Sequence, residues 1–393
     1  MFSDRTAWNL EPNPLSKALA NRLASGEPVI DLTESNPTKC GFHFEAEQIL
    51  GALSHPGNVT YDPVAQGLLP ARNAVVDYYR SRHCEVNVND IFLTSSTSEA
   101  YSFLFRTLCN PGDEVLIPQP GYPLFNFLAD IQDVGTVRYP LIYDYGWLID
   151  FHALQRAITP RTRAIVVVNP NNPTGHFCKA DDVHRLNQIC LEGDLALIAD
   201  EVFLDFSLGN DIAPSFASSD RALTFTMSGL SKISGLPQMK VAWLVGTGPE
   251  ALKQQAVARL EMIADTYLSM NTPMQLALPA LLELRHNFQQ QCMERVRNNL
   301  AQLDKLLSTQ RLCTRLNLEG GWYAIVKVPV TGSDDGLALE LLNTHGVYVH
   351  PSHFYDFPGD GYLVASLITP ELPFAIGIQA LVNLIGEKFR KDS

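Results

Sequence analysis

The sequence predicts an α/β chain: a large domain on a mostly parallel sheet, with a smaller α+β domain formed by both termini. Two patterns carry this expectation. From residue 91 onward, short apolar runs at 91–94, 114–118, 164–168 and 195–199 alternate with turns and with segments of helical spacing, and near-continuous apolar strands suit a sheet covered on both faces. Beyond residue 246 the chain is mainly helical and then returns to strand, helix and strand, as a second unit would. A length of 393 residues accommodates about two domains. The expected division is an N-terminal arm over 1–45, a large domain over 46–286 and a small domain over 287–393.

The elements follow in chain order. Residues 1–45 are rich in Asn and Pro, with one helical candidate at 15–24 and the turn-rich stretch 31–42; a segment this polar cannot form a core alone and must pack on something else. The turn Gln66-Gly67 precedes a helix with Leu69, Ala74, Val75 and Tyr78 at helical spacing. The strand at 91–94 meets Ser95-Ser-Thr-Ser98, then a helix over 99–109. Four hydroxyl residues there make a good N-cap, and the same geometry presents free backbone N–H groups to an anion. The rigid turn Pro120-Gly-Tyr-Pro123 projects Tyr122, and Asn169-Pro-Asn-Asn-Pro-Thr-Gly175 projects Asn172 beyond the strand at 164–168. The strand at 195–199 ends at Asp200-Glu201. Helices are expected at 256–268, 275–284 and about 287–307, strands at 320–329, 347–349 and 362–367, and helices at 337–344 and from 373.

Composition narrows the function. Apolar residues at 46% and charged residues at 18% are ordinary globular values. A net charge of −13 argues against a nucleic-acid partner, which needs clustered Lys and Arg. Seven scattered cysteines show neither C-x-x-C nor Cys/His metal spacing, so reduced thiols are expected and no metal. No apolar h-region opens the sequence and no uncharged run approaches the roughly 18 residues of a membrane span. A cytoplasmic enzyme is the expectation.

The chemistry centres on Thr226-Met-Ser-Gly-Leu-Ser-Lys-Ile-Ser-Gly235. This stretch sets Lys232 among small and hydroxyl residues, with the apolar run 241–246 behind it. A lysine that forms an imine must be neutral part of the time, which partial burial favours. Small neighbours admit a flat cofactor to the backbone, and hydroxyls with a second cation, Lys240, suit an anionic handle such as phosphate. Taken alone, the stretch reads equally as a Ser/Gly loop with a solvated lysine. Ligands in open α/β sheets collect beyond the carboxyl ends of strands, so convergence of Ser95–Ser98, Tyr122, Asn172, Asp200 and Lys232 on one crevice is what favours a site.

Three motifs, Asn169-Pro-Asn-Asn-Pro-Thr-Gly175, Asp200-Glu-Val-Phe203 and Ser228-Gly-Leu-Ser-Lys232 with a cation eight residues on, make nearly the whole chain resemble the class I/II (fold type I) pyridoxal-phosphate aminotransferases. The motif form is nearest the alanine-aminotransferase-like branch. The resemblance implies that Lys232 carries pyridoxal 5′-phosphate as an internal aldimine and moves the proton between substrate and cofactor. It implies that Asp200 keeps the ring nitrogen protonated, that Asn172 donates to the phenolate oxygen and that Tyr122 stacks on the ring. Ser96, Thr97, Ser228 and Lys240 would hold the phosphate, joined by Tyr61 from a partner subunit in a homodimer. The implied reaction is ping-pong exchange between an amino acid or amine and a 2-oxo acid.

Three positions depart from the family pattern. Phe203 stands where a tyrosine usually bonds the phenolate oxygen, which should leave the imine nitrogen more basic. Lys240 stands where an arginine usually grips phosphate, replacing a planar fork by a point charge. Val364 stands where an arginine usually binds the substrate carboxylate. Either another cation, with Lys39 a candidate, takes over, or the substrate is not an ordinary α-amino acid. That gap leaves room for an alternative outcome, β-elimination or decarboxylation on the same cofactor. The aromatic residues Trp322, Tyr323, Tyr348, Phe354 and Tyr355 are candidates for a pocket wall or for core.

Overall fold

The computed structural model describes residues 1–210, 212–268, 270–330 and 332–391. Its centre is an eight-stranded sheet. In chain order the strands are β1 (Ile91–Thr94), β2 (Glu114–Gln119), β3 (Gly135–Tyr143), β4 (Trp147–Ile149), β5 (Thr162–Val168), β6 (Ala196–Asp200), β7 (Thr224–Gly229) and β8 (Ala242–Thr247). In space they run β1-β8-β7-β6-β5-β2-β3-β4. The pairs from β7 through β6, β5 and β2 to β3 are parallel, whereas β8 is antiparallel to both β7 and β1 and β4 is antiparallel to β3. Strand β1 therefore shares the direction of β7, and the carboxyl ends of β1, β2, β5, β6 and β7 lie along one edge.

The central strands are buried on both faces, which explains their apolar, β-branched composition; every residue of β5 except Arg163 is buried. Strand β7 was not legible as a strand. Its sequence Thr-Phe-Thr-Met-Ser-Gly alternates hydroxyl and apolar residues, a half-exposed pattern, yet all six are buried. On β4's side, Tyr145 takes a positive φ in the hairpin between β3 and β4, a connection that periodicity did not mark. The helix expected at 256–268 begins earlier and spans Glu250–Thr266, because its first turn is surface-facing and carries no apolar stripe.

The small domain is a four-stranded antiparallel sheet of β9 (Thr314–Arg315), β10 (Tyr323–Lys327), β11 (His350–Pro351) and β12 (Tyr362–Ser366), ordered β9-β10-β12-β11. The N-terminal arm joins it directly. Ile30–Asp31 pairs in parallel with Val347–Tyr348, and the Ser366 amide donates to the Leu32 carbonyl at 2.6 Å. The helix Arg285–Ser308 runs from the large domain into the small one, and its Asn299 amide donates to the carbonyls of Leu367 and Thr369 at 2.8 and 2.7 Å.

The tongue Leu318-Glu-Gly-Gly321 docks the small domain onto the strand ends. Gly320 bridges Ser207, the Gly321 amide donates to the Phe206 carbonyl at 2.8 Å and the Leu208 amide to the Glu319 carbonyl at 2.9 Å. Gly175 lies so close beneath it, at φ +67°, that a Cβ would collide with Leu318 and the Gly320 carbonyl. Gly175→Ala is therefore expected to lower stability by about 2–4 kcal/mol, combining left-handed strain with overpacking, a loss read from the denaturant midpoint.

Candidate active site

The aligned carboxyl ends deliver the chemistry-bearing residues to one place. Strand β7 stops at Gly229, where a Cβ would strike the Val241 carbonyl and Ala242. The chain then makes a single helical turn, Leu230–Ile233, that raises Lys232 over the end of β6. A cavity of about 310 Å³ lies there, walled by Ser96, Thr97, Tyr122, Asn172, Asp200, Phe203 and Lys232 among others. The convergence expected from sequence is present.

Asp200 closes β6 as a buried carboxylate. Its oxygens accept from the Val202 amide and the Tyr101 hydroxyl, each at 3.2 Å. Burial pushes the carboxyl up to about 6, opposed by those hydrogen bonds and by the charge of Lys232. Lys232 is shifted the other way: burial lowers its amine to about 8, against the opposing pull of Cys292 and Asp200. Its Nζ stands 5.0 Å from the Trp322 ring centroid and 5.5 Å from that of Phe203. Acid and amine thus face one low-dielectric space, each brought toward neutrality. Burial also pushes the Tyr122 hydroxyl up to about 12, so it is a neutral donor and ring.

The turn carrying Asn172 is held from both sides. The Asn171 amide donates to the Pro120 carbonyl at 3.2 Å and to Thr174 Oγ1 at 3.0 Å, and the Cys178 amide donates to Asn169 Oδ1 at 3.0 Å. From the tongue, the Glu319 carboxylate accepts from the Phe177 amide at 2.9 Å and from Lys179 Nζ, with buried His176 Nδ1 at 3.6 Å. These partners hold the Glu319 carboxyl down at about 2 against burial. Asn172 itself is buried, and its Oδ1 has no hydrogen-bond partner among the described residues.

The helix Thr97–Leu108 begins at the cavity with Ser96 as N-cap, its hydroxyl accepting from the Glu99 amide at 3.1 Å, while Glu99 reaches back to the Ser95 amide at 2.6 Å. Thr97 and Ser98 also wall the cavity, and the first amides of a helix lack intrahelical partners. Two residues expected at the phosphate stand apart from the wall. The Ser228 hydroxyl donates to the Glu201 carbonyl at 3.3 Å, and Lys240 is exposed, in left-handed conformation after the turn Pro237–Met239. Tyr61 is 73% exposed and walls neither cavity of its own chain.

A second cavity of about 260 Å³ shares Ser35, Tyr122, Asn172 and Tyr323 with the first and adds Thr33, Pro123, Leu124, His350, Phe354 and Tyr355. Of the aromatic cluster, Tyr323, Phe354 and Tyr355 are therefore wall, Trp322 is fully buried beneath Lys232, and Tyr348 packs edge-on to His350. His350 stacks on Phe354 at 3.8 Å, and burial, helped by His353, drops its imidazole to about 4. Val364 pairs with both Ile325 and His350, so it belongs to the sheet face that carries Tyr323 and His350, yet it is fully packed.

Several contributors were not legible in sequence. Tyr101 lies one helical turn past the Ser95–Ser98 run and carried only a core signal. Ser35 comes from the polar arm, where no periodicity points at a cavity. Ser231 was one hydroxyl among several around the lysine.

A flat aromatic aldehyde with an anionic handle fits this donor set. An amine brought toward neutrality and a buried acid share the space, an orphaned Asn172 oxygen marks unfilled polar capacity, and hydroxyls with a helix N-terminus gather at one end. Similarity to known proteins agrees. The profile of aminotransferase class I and II matches residues 23–371. The chain is 30% identical to glutamate-pyruvate aminotransferase AlaA of Escherichia coli strain K12 over 274 residues, covering 68% of this chain and 67% of that one. It is 27% identical to the alanine aminotransferase of Mycobacterium tuberculosis, covering 95% and 88%. Among solved structures, an alanine aminotransferase from Pyrococcus furiosus superposes with a TM-score of 0.90 at 23% identity, covering 98% of this chain and all of that one.

The chain belongs to the class I and II aminotransferase family, on a fold type I scaffold. It is a pyridoxal-phosphate-dependent transaminase.

Two measurements check the electrostatics in cofactor-free protein. Trapping of the Lys232 amine by an acylating reagent should have its midpoint near pH 8, against about 10.4 for an ordinary lysine; a midpoint above 10 contradicts the burial argument. The Asp200 carboxyl, raised to about 6, holds its proton in the folded state where the unfolded chain, at about 3.9, has lost it. That contribution to stability is full below about pH 4 and is lost as pH rises to about 6. Asp200→Asn should therefore make the cofactor-free protein more stable at pH 7, by on the order of 2 kcal/mol, in chemical denaturation, while removing transamination.

Proposed function

We propose that the active site is built on Lys232, Asp200 and Tyr122. Pyridoxal phosphate, when bound, supplies an electron sink for the pair released at the substrate's reacting carbon. Lys232 carries the cofactor and then holds and moves the proton at that carbon, a task suited to an amine that is neutral part of the time near pH 8. Asp200 keeps a proton on the ring nitrogen through a charge-assisted hydrogen bond, with Tyr101 fixing its orientation. Tyr122 covers the ring, Asn172 directs its amide to the ring oxygen, and Phe203 offers an apolar edge. The anionic handle falls to Ser96, Thr97 and the helix amides, with Ser228 and Lys240 near by and Tyr61 of the partner subunit completing the cradle.

The substrates are a neutral amino donor and a 2-oxo acid. The alanine aminotransferase of Mycobacterium tuberculosis supports an uncharged donor and the glutamate-pyruvate enzyme a 2-oxo acid acceptor, and the second cavity suits both, with neutral His350 and, among the described residues, no Asp, Glu, Lys or Arg in its wall. A homodimer is supported by the exposed apolar side chains of Val59 and Tyr61 on a segment that packs on the helix Thr272–Glu283, where monomers seldom leave apolar surface clustered. Seven free cysteines support a reducing, cytoplasmic setting. The working units are the arm 1–45, the large domain 46–286 and the small domain 287–393.

The observation that carries this reading is the shared cavity of a lowered lysine and a buried aspartate. Its test is spectroscopic. Protein loaded with pyridoxal phosphate should be yellow and shift to the pyridoxamine spectrum with an amino donor, and Lys232→Ala should lose the covalent visible band. Release of ammonia and pyruvate in place of that shift would instead mean elimination.

A further inference from the structure

Transamination places a carboxylate in this site in both half-reactions, on the amino acid and again on the 2-oxo acid. An anion taken out of water needs a cation or several strong donors, or its desolvation is uncompensated. Among the described residues, Lys232 is the single lysine or arginine in the walls of the two joined cavities, and it is occupied by the chemistry. On the sheet face turned to the site, Val364 stands between Ile325 and His350, and the His350 ring is neutral. The sheet therefore offers the carboxylate no charge at Val364 or its paired neighbours.

Nearby cations can be eliminated one at a time. Arg295 gives Nη1 to the carbonyls of Cys40 and Ile368 at 3.2 and 3.4 Å, pairs through Nε with Glu371 at 3.8 Å and lies over the Phe42 ring. Lys240 follows Pro237 and precedes Ala242, which wall only the cavity that contains the hydroxyl run, so it stands at the handle end. Lys327 sits at the far end of β10 from Tyr323.

Lys39 remains. It lies four positions after Ser35, which walls both cavities, in the turn Pro37–Lys39 capped by Asn36. Its side chain is exposed and has no ion pair among the described residues. The nearest acid in sequence, Glu34, already accepts from the Asn36 amide at 2.8 Å. The arm is fixed at the cavity mouth, because Ser366 Oγ donates to the Glu34 carbonyl at 2.6 Å and the Cys40 carbonyl is held by Arg295. The three-residue turn, which follows extended Asn36, advances only about 2 Å per residue, and this keeps the flexible four-carbon stem of Lys39 near the cavity mouth marked by Ser35.

We infer that Lys39 is the substrate-carboxylate cation of this enzyme, a specificity-determining residue supplied by the N-terminal arm in place of the small-domain sheet. A lysine there acts as a mobile point charge rather than a bidentate fork. It selects for a single negative charge near the reacting carbon and leaves the rest of the pocket to uncharged groups. The inference rests on transamination at the Lys232 site.

The test uses the cofactor-loaded enzyme and two variants, Lys39→Gln and Lys39→Arg. Calorimetric titration with 4-methylpentanoate, an unreactive monocarboxylate, should show binding weakened about 10- to 100-fold in Lys39→Gln, the worth of one charge-assisted hydrogen bond, and kept close to wild type in Lys39→Arg. In steady state, Lys39→Gln should raise KM for alanine and for pyruvate far more than it changes kcat, with the visible cofactor band retained. Undiminished 4-methylpentanoate binding in Lys39→Gln overturns the inference, and so does an equal loss in both variants. A wild-type enzyme that shifts to the pyridoxamine form with no amino acid would instead sink the transamination reading, and the binding comparison would still decide the role of Lys39.

Discussion

Everything at this site depends on two ionisable groups, buried Asp200 and half-buried Lys232, sharing one cavity. Asp200 and Lys232 are each driven toward neutrality by burial, in opposite directions, and each partly restores the other's charge. Neither shift serves the folded chain; each is a cost that the sheet, with its fully buried strands, is stable enough to carry. On the site proposed above, Asp200 and Lys232 would both be relieved by a ring with a basic nitrogen and an aldehyde, the carboxylate by facing a cation and the amine by holding the group. Cofactor affinity and fold stability are linked for this reason, since whatever binds only the folded state stabilises it.

Holding those groups in register is the work of backbone, more than of side-chain contacts. Six strands share a direction and end along one edge, and three of these ends are fixed locally: Ser96 caps its helix, Asn171 ties the Asn172 turn to Pro120, and Gly229 permits the close crossing of β7 with β8. The tongue at 318–321 then locks the small domain against two of these ends at once. Glu319 reaches the turn through Phe177, Lys179 and His176, while its own carbonyl and the next residues bind the segment after Phe203. Trp322 and Tyr323 follow directly, so one short segment sets both the floor under Lys232 and a wall of the pocket. A carboxyl held near 2 keeps this staple ionised at any working pH.

The sequence revealed what depends on pattern and concealed what depends on packing. Apolar runs exposed most of the central strands because burial on both faces imposes composition. The strand leading into Lys232 escaped notice because its hydroxyls, Thr224, Thr226 and Ser228, are buried with the rest. The residues at strand ends were legible since turn chemistry restricts which types can stand there, as with Asn172 between its prolines. Tyr101 and Ser35 were not: one is a helix residue whose hydroxyl happens to meet Asp200, the other arrives from a distant part of the chain. Ser228 and Lys240 show the limit of spacing alone. Both flank Lys232 as expected, yet one hydroxyl is taken by the Glu201 carbonyl and the other side chain faces solvent.

The three departures from the family pattern point the same way. Phe203 removes a hydroxyl, Lys240 replaces a fork by a point charge, and Val364 removes a cation, so each subtracts a directional interaction from a side chain. On the site proposed above, recognition then comes from elements that are already fixed: helix amides beside Ser96 and Thr97, the rigid Asn172 turn, and the arm bearing Ser35 and Lys39. Directional side chains lose conformational freedom on engagement, whereas backbone amides held by a fold have already lost theirs. An enzyme that shifts recognition from the first kind of group to the second gives up reach and gains pre-organisation. On the inference that Lys39 holds the substrate carboxylate, it then depends most on a long flexible side chain at its mouth, because Lys232, the lysine in the cavity walls among the described residues, is occupied by the chemistry.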